Sequence, residues 1–347
     1  MSKIDFVLPW VDGADIEWQE EKAKYNLNYD GDANATARFR DMGTLKYVLR
    51  SIEQNCPWYH KIYIITTGHY PNWLDVKHEK IVLVTHQELY IDKTHLPVFS
   101  SSSIEMNLVN IKGLSEKFVY LNDDTVIIKK LDKSRFFLEN KPVDFLSHGW
   151  IPRGRFFEKL KGRDTWIHSL NNNLKLVNKY VNPLSIEKRN LYHESYGFKV
   201  KVSNFLLEKV YKKLFWLEHW HHPMPYLRST LEEVYDEFKD EMMTCSSNRF
   251  RANNDLTQYI YRYWQLAKGD FSPYKYNDGY DADIVSFEYL ENSIIEIEAN
   301  LNINFVCFND QMMNIEDEEF IQTKELLIQY LENKFPQKAS FEVGEEV

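Results

Sequence analysis

The fold class is decided by residues 118–128, which have the sequence FVYLNDDTVII. An apolar run leads into the acidic turn Asn122-Asp123-Asp124, and a second β-branched run follows. This pattern predicts a strand, a turn and a strand. Similar short apolar runs occupy residues 4–8, 62–66 and 81–84. Since short buried strands that alternate with helices are typical of parallel sheets, we predict an α/β fold with a mainly parallel sheet flanked by helices.

The helices are predicted from apolar residues at helical spacing. Leu45, Val48, Leu49 and Ile52 recur in this way after Thr44, a residue type that caps helices. The same pattern predicts helices at residues 103–114, 227–238, 254–267 and 317–335, and an apolar run predicts a last strand at 303–308. Between residues 135 and 217 the pattern is looser, which indicates a helical insertion.

Composition excludes several classes of protein. The 347 residues are 44% hydrophobic and 27% charged, which excludes a disordered chain. No apolar stretch approaches the roughly 18 residues of a membrane-spanning helix, and the N-terminus lacks the pattern of a signal peptide. Three cysteines without CxxC spacing indicate buried thiols rather than disulfides or a zinc knuckle. We therefore expect a cytoplasmic protein.

Charge is unevenly distributed along the chain. The formal net charge is −10, yet residues 151–213 carry 14 Lys and Arg against 5 Asp and Glu, with aromatic residues between them. Such a segment suits an anionic membrane surface or a phosphate-rich substrate. The alternative is a solvated helical insertion whose aromatic side chains face the core. Because the acidic remainder would repel a long duplex, nucleic acid is not an expected partner.

Acidic side chains follow three of the predicted strands. They are Asn122-Asp123-Asp124, Asn309-Asp310 after the run NFVCF, and Asp12 with Asp15 after the first strand. Open α/β sheets bind ligands at the carboxyl ends of their strands, and adjacent carboxylates hold hard divalent ions that bridge phosphates. We predict that these strand ends converge on one metal-diphosphate site, the alternative being ordinary acidic turns.

Two further segments contain candidate phosphate-binding groups. The run Glu218-His219-Trp220-His221-His222 lacks the spacing of a zinc site, so a single catalytic or phosphate-contacting histidine is favoured. Arg249-Phe250-Arg251 places two guanidinium groups on one side of an extended segment. Arg side chains match phosphate oxygens well, although paired surface arginines are the commoner case.

Several of these segments resemble the Stealth family of sugar-1-phosphate transferases. Its members include bacterial capsular polysaccharide phosphotransferases and the catalytic subunit of the lysosomal-enzyme GlcNAc-1-phosphotransferase. The similar segments cover about half of the chain and run, in order, from IDFVLPWVDGAD (4–15) through RFRDMG (38–43) to VYLNDDTVI (119–127), then HHPMPYLRST (221–230), NRFRANNDL (248–256) and NFVCFNDQ (304–311).

The resemblance implies roles for individual residues. The essential acids of the family match Glu105 and Asp124, its essential histidine matches His221, and its essential arginine matches Arg251. A shift of one residue would choose His222 instead of His221. The residues expected to hold a divalent metal, Mg²⁺ or Mn²⁺, are Asp123, Asn309 and Asp310. The residues expected to bind substrate are Trp10, Asp12, Arg38, Asp41, His222, Arg228 and Arg249. For Trp10, a position in the hydrophobic core is as well supported by the sequence as a role in binding the nucleotide.

The resemblance also implies the organisation of the chain. We expect a Rossmann-like (GT-A-like) α/β fold whose residues 1–134 bind a nucleotide-sugar and whose residues 218–336 complete the catalytic core. Residues 135–217 are expected to form a basic, aromatic helical insertion that contacts the acceptor or a membrane. Residues 337–347 are expected to form a loose tail. A position at the inner face of the cell membrane is a hypothesis that rests on the basic stretch, including Lys159, Lys161 and Arg163.

The implied reaction is transfer of a hexose 1-phosphate, GlcNAc-1-phosphate or GalNAc-1-phosphate, from a UDP-sugar to a polysaccharide or lipid-linked oligosaccharide. The acceptor hydroxyl attacks the β-phosphorus and UMP leaves. Asp124 or His221 would accept the proton, and Glu105 would bind the sugar or orient the base. The competing enzyme class is a metal-dependent glycosyltransferase that releases UDP. A carbohydrate-binding module would leave the strand-end acids and the RFR segment unexplained.

Overall fold

A computed structural model describes residues 3–25, 40–148, 165–180, 186–214, 217–218, 221–313 and 315–344. The strands are β1 (Ile4–Pro9), β2 (Ile62–Thr66), β3 (Ile81–Thr85), β4 (Lys117–Tyr120), β5 (Thr125–Ile127), β6 (Phe137–Leu138), β7 (Lys141–Asp144), β8 (Met224–Leu227), β9 (Ser272–Pro273), β10 (Gly279–Ile284) and β11 (Phe305–Asp310).

The helices alternate with the strands along most of the described chain. They are α1 (Ile16–Tyr25), α2 (Leu45–Asn55), α3 (His86–Leu89), α4 (Ser101–Glu105), α5 (Thr165–Tyr180), α6 (Lys188–Leu191), α7 (Phe198–Leu206), α8 (Arg228–Glu237), α9 (Lys239–Ser246), α10 (Tyr259–Lys268), α11 (Phe287–Ala299) and α12 (Asp317–Lys334). Short 3₁₀ turns lie at Lys93–His95, Leu108–Asn110 and Lys133–Arg135.

The central sheet has five strands in the order β3-β2-β1-β4-β8. The strands β3, β2, β1 and β4 pair in parallel, and β8 is antiparallel to β4. Along β1, Val7 packs on one side of the sheet, and Phe6 and Leu8 pack on the other. Both faces of the sheet are therefore buried under helices, which explains why its strands are continuous apolar runs. The predicted α/β class with a mainly parallel sheet is confirmed.

A second sheet, β10-β11-β5, adjoins the central one through the turn that joins β4 to β5. Strand β11 is parallel to β10 and antiparallel to β5, with Asp283 opposite Asn309 and Thr125 opposite Cys307. The carboxyl end of β11 is thereby brought next to the Asn122-Asp123-Asp124 turn. A third, small sheet has the order β6-β7-β9.

A buried ion pair joins the small sheet to α10. Arg262 on α10 donates from Nε and Nη2 to the carboxylate of Asp144 on β7, each at 2.8 Å, and from Nη1 to the carbonyl of Glu218 at 2.7 Å. Both residues are buried. Because each nitrogen of this guanidinium group donates to an oxygen, the pair fixes α10 against the end of β7.

Two expectations differ from the structure. The segment 103–114 is not one helix: α4 ends at Glu105 and a separate 3₁₀ turn begins at Leu108. Asn107 Nδ2 donates to the carbonyl of Ser103 at 2.9 Å, and side-chain bonds of this kind compete with a continuing helix. Residues 337–344 are packed rather than loose, because Phe341 is fully buried and Glu342 is bound by Arg50 in two hydrogen bonds of 2.7 and 2.9 Å.

Two further expectations hold only in part. Residues 135–217, expected to be helical, also contain β6 and β7, and α10 begins at Tyr259 rather than at residue 254. Cys56, Cys245 and Cys307 are buried free thiols. Within the described ranges, no helix is both long enough and apolar enough to cross a membrane. Lys159, Lys161 and Arg163, named above in the membrane hypothesis, lie outside the described residues.

Candidate active site

One cleft of about 660 Å³ opens at the carboxyl ends of β1 and β4, between them and the end of β11. Its floor is formed by Pro9, Trp10, the Asn122-Asp123-Asp124 turn and residues 308–311. The opposite wall is formed by α4, α5 and the loop that precedes α10. This is the edge at which an open α/β sheet is expected to bind its ligand.

One side of the cleft is acidic. Asp123 and Asp124 come from the turn between β4 and β5, and Asp281 and Asp283 come from β10. Burial, together with the neighbouring carboxylates of Asp124 and Asp41, raises the pKa of Asp123 well above its usual range. Burial, opposed by His221 and reinforced by the charges of Asp283 and Asp124, raises the pKa of Asp281. These carboxylates repel one another, which makes this side of the cleft electronegative.

Histidine 221 is held beside this acidic side. Its backbone N–H donates to the carboxylate of Asp281, and its ring lies edge-on to Trp166 with the ring centroids 6.5 Å apart. The neighbouring His222 is turned away from the cleft and packs over Phe305, with ring centroids 5.7 Å apart. Gly279 allows this packing, since a β-carbon there would lie 3.2 Å from the His222 ring. Of the two histidines, the structure brings His221 to the cleft.

The facing wall carries a buried carboxyl group, that of Glu105 on α4. Its Oε2 accepts the backbone N–H of Gln258 at 2.7 Å, and its Oε1 accepts the hydroxyl of Tyr120 at 3.2 Å. Desolvation raises the pKa of Glu105 to about 7, although the Gln258 N–H and the Arg251 guanidinium oppose the shift. A carboxyl group with such a pKa can hold or release a proton near neutral pH.

Arg251 supplies positive charge on the same wall. It lies in the loop between α9 and α10, and its Nη2 donates to the Ser101 hydroxyl at 3.2 Å. The loop is folded around Asp255, whose carboxylate accepts the backbone N–H of Ala252 at 2.9 Å and Nδ2 of Asn248 at 2.7 Å. Arg251 is therefore held at the cleft by a hydrogen-bonded loop, where its charge acts on Glu105 and Asp255.

The structure brings most of the predicted residues together. Those that line the cleft are Trp10, Asp41, Glu105, Asp123, Asp124, His221, Arg251, Asn309 and Asp310. The carboxylate of Asp310 is engaged by Arg40, which donates from Nε at 3.0 Å and from Nη2 at 2.9 Å. Asp310 is thus an ion-pair partner rather than an open metal ligand. Asn309 Nδ2 donates to the carboxylate of Asp283 at 2.8 Å. The amide oxygen of Asn309 takes no part in that bond.

Four predicted substrate-binding residues, Asp12, His222, Arg228 and Arg249, are not among the residues that line the cleft. The carboxylate of Asp12 accepts the N–H of Ala14 at 2.9 Å and closes its own turn. Arg228 begins α8 and lies 3.3 Å from Glu232. Arg249 donates to the carbonyls of Thr94 and Leu96 at 3.1 and 3.3 Å. Arg38 lies outside the described residues.

Several residues of the cleft were missed by the sequence reasoning: Arg40, Trp166, Asp255, Gln258, Asp281 and Asp283. The signal for the last two was present in GYDADI (279–284), where alternation along a strand places both aspartates on one face. Within the described part of the chain, no three His, Cys, Asp or Glu side chains are grouped as a formed metal site.

Comparison with known proteins bears on the identity of this site. Family models for Stealth protein conserved regions 1, 2 and 3 match residues 2–30, 38–145 and 220–263. These three regions contain Trp10, Glu105, Asp124, His221 and Arg251. Conserved region 3 ends within α10, so Asp281 and Asp283 lie beyond it.

Relatives of known name match along the whole chain. The capsular polysaccharide phosphotransferase WcwK of Streptococcus pneumoniae is 36% identical over 351 residues, which cover 99% of this chain and 98% of that protein. The exopolysaccharide phosphotransferase cps2G of Lactiplantibacillus plantarum is 32% identical, with 98% and 96% covered. The chain is also similar to the solved galactosyltransferase LgtC, in complex with donor and acceptor sugar analogues, at 9% identity and a TM-score of 0.35 over 95% of each chain. The conserved regions and the full-length relatives together show that this chain belongs to the Stealth family, among its bacterial polysaccharide phosphotransferases.

Proposed function

We propose that this phosphotransferase moves a hexose 1-phosphate, GlcNAc-1-phosphate or GalNAc-1-phosphate, from a UDP-sugar to a hydroxyl group of a growing polysaccharide. The observation that carries the proposal is that Arg251 and the buried Glu105 line the same cleft as the carboxylates of Asp123 and Asp124. A diphosphate donor needs positive charge around it, and a sugar hydroxyl needs a proton acceptor.

In the proposed reaction the acceptor oxygen attacks the β-phosphorus. The bond from that phosphorus to the oxygen shared with the α-phosphate breaks, and UMP leaves with the bond electrons. The bond between the anomeric carbon and its oxygen stays intact. Arg251 stabilises the charge on the transferred phosphoryl group. The proton of the attacking hydroxyl passes to His221 or Asp124, which lie on the same side of the cleft.

The donor and the acceptor would enter from different sides of the cleft. Trp10 lines it with a buried indole whose Nε1 has no acceptor among the described residues, which suits contact with the uridine end of the donor. Glu105 lines the same cleft beside Gln258, and its carboxylate would accept a hydrogen bond from a hydroxyl group of a sugar. The polysaccharide or lipid-linked acceptor would then approach past Trp166.

The acidic side suits a divalent metal ion, Mg²⁺ or Mn²⁺. Carboxylate and amide oxygens are the donors that hard cations prefer. The pKa of Asp123 is raised first by burial and then by the neighbouring charges of Asp124 and Asp41. Asp123, Asp124 and Asn309 would hold the ion. When bound, it would offset the negative charge of the diphosphate.

The test follows the phosphorus atoms of the donor. The enzyme is incubated with acceptor and a panel of UDP-sugars that carry radioactive phosphorus at the β-position, and the nucleotide and polysaccharide products are separated. Phosphotransfer gives unlabelled UMP and a labelled product. Labelled UDP with an unlabelled product would overturn the proposal in favour of glycosyl transfer. The variant Glu105→Gln serves as the inactive control.

We also propose that the enzyme works at the anionic inner face of a membrane, where lipid-linked acceptors would be found. The supporting observation is the basic stretch at residues 151–213, which contrasts with the acidic remainder of the chain.

A further inference from the structure

Helix α7 and the π-helical turn that continues it, Leu207–Tyr211, bury Ser203, Asn204 and Leu207 and expose several large apolar side chains. Ser203 and Asn204 face inward and are buried. Asn204 Nδ2 donates to the carbonyls of Leu146 and Leu191 at 2.7 and 2.8 Å, and its Oδ1 accepts the N–H of His148 at 3.2 Å. The Ser203 hydroxyl donates to the His148 carbonyl. The polar side of this helix is therefore satisfied inside the protein.

The apolar side of the same helix faces outward. Phe198 is 82% exposed, Phe205 is 51% exposed and Val210 is 61% exposed. Phe198 and Phe205 are seven residues apart, so they lie on one face of the helix. Large apolar side chains on the solvent side of a helix are the opposite of the usual arrangement, in which they face the core. Such an exposed apolar surface is typical of a site that binds another apolar surface.

The charge around this apolar side is positive. Residues 197–213 contain five Lys, at positions 199, 201, 209, 212 and 213, and a single acidic residue, Glu208. Glu208 accepts Nζ of Lys209 at 2.5 Å and the hydroxyl of Tyr192 at 2.6 Å, so its charge is already paired. On a chain with a formal net charge of −10, this surface is a local exception.

We infer that Phe198, Phe205 and Val210, with Lys199, Lys212 and Lys213 around them, form a docking surface for an anionic lipid bilayer. The aromatic side chains enter the boundary between headgroups and acyl chains, and the ammonium groups contact lipid phosphates. A bilayer matches both features, since it offers an apolar layer beneath a negatively charged one. A second copy of this chain is a poorer partner, because the two identical surfaces would repel. The inference deepens the proposed membrane placement and assigns it to specific residues.

The experiment is co-sedimentation of the full chain with vesicles of phosphatidylcholine, with or without one third phosphatidylglycerol. We expect the wild type to bind the anionic vesicles, and binding to weaken as salt is raised. The double variant Phe198→Ser/Phe205→Ser should bind at least about tenfold more weakly. Leu301→Ser is the matched control, because Leu301 is 81% exposed in the turn before β11, and it should bind like the wild type.

Two results would overturn the inference. One is equal sedimentation of the wild type and the double variant with anionic vesicles. The other is that the wild type does not bind vesicles, and analytical ultracentrifugation shows a dimer of the wild type that the double variant does not form. Neither result depends on turnover, so a failure of the proposed reaction, seen as UDP release, is distinguishable from a failure of membrane docking. With a water-soluble acceptor the double variant should retain wild-type activity.

Discussion

The backbone N–H of Gln258 lies 2.7 Å from Oε2 of Glu105, and it ties the carboxyl group on α4 to the residue just before α10. The two residues come from conserved regions 2 and 3. This bond holds the wall of the cleft together at the position where Arg251 also interacts with Glu105. The position of the Glu105 side chain thus depends on residues from both conserved region 2 and conserved region 3.

The raised pKa of Glu105 predicts a pH-dependent stability. Its folded pKa of about 7 exceeds the ordinary value of 4.5 because of desolvation, so its ionisation opposes folding as pH rises from about 4.5 through 7. We expect Glu105→Gln to become more stable relative to wild type over this range, by about 3 kcal/mol at most. Melting temperatures of both proteins from pH 5 to pH 8 measure the effect. A difference that stays constant with pH would contradict it.

Catalysis should depend on Glu105 and on Asp124. We expect Glu105→Gln and Asp124→Asn each to lower kcat at least about a hundredfold with the fold intact, because each removes a carboxylate from the cleft. Turnover is measured as nucleotide release, and circular dichroism checks the fold. Activity within a fewfold of wild type would exclude the substituted residue from the reaction.

The two arginines of the RFR segment should differ in importance. Arg251 lines the cleft, whereas Arg249 is bonded to the carbonyls of Thr94 and Leu96. We expect Arg251→Gln to reduce kcat/KM at least about a hundredfold and Arg249→Gln to reduce it about tenfold or less. Steady-state kinetics of the two variants side by side are the measurement. Equal losses would mean that Arg249 also reaches the donor.

Metal removal should stop the reaction. EDTA is expected to abolish turnover, and Mg²⁺ or Mn²⁺ to restore it, because the carboxylates around Asp123 repel one another without a cation. Calorimetric titration of Mn²⁺ gives a second readout, in which Asp123→Asn should bind more weakly and the exposed Asp92→Asn should not. Full activity of thoroughly stripped enzyme would show that arginine alone neutralises the phosphates.

The buried Arg262–Asp144 pair should matter for stability. Arg262→Met leaves the Asp144 carboxylate buried without its partner. We therefore expect it to lower the free energy of unfolding by about 3–5 kcal/mol. The control is Arg189→Ala, which breaks the exposed pair with Glu187 and should change stability by about 0.5 kcal/mol or less. Urea denaturation provides both values, and equal changes would contradict the prediction.

Much of the fold could be predicted from local patterns. Strands β1 to β5 are short apolar runs, and α2, α8, α10 and α12 have apolar residues at helical spacing. The spacing of apolar residues is therefore enough to predict these elements. Strand β10 escaped prediction because Asp281 and Asp283 face the open cleft and give it a polar sequence. The edge of the sheet that holds the site was predicted from acidic residues that follow three strands, among them Asn122-Asp123-Asp124 and Asn309-Asp310.

Long-range pairing could not be predicted in the same way. Nothing near Asp310 in the sequence shows that Arg40, 270 residues away, engages its carboxylate. The exposed position of Phe198 was equally hidden, since an aromatic residue in a helix usually packs inward. Here the inner side is occupied by Ser203, Asn204 and Leu207.

The pairing of β5 with β11 has a consequence for how the protein folds. Thr125 and Cys307 are opposite each other, so this contact closes a loop of about 180 residues before the acidic side of the cleft exists. Closing so long a loop is entropically slow, and contacts of this range raise the contact order that retards folding. The parallel strands β1 to β4 use much shorter connections. The site should therefore mature late, so that intermediates with an intact central sheet are still unable to bind a nucleotide-sugar.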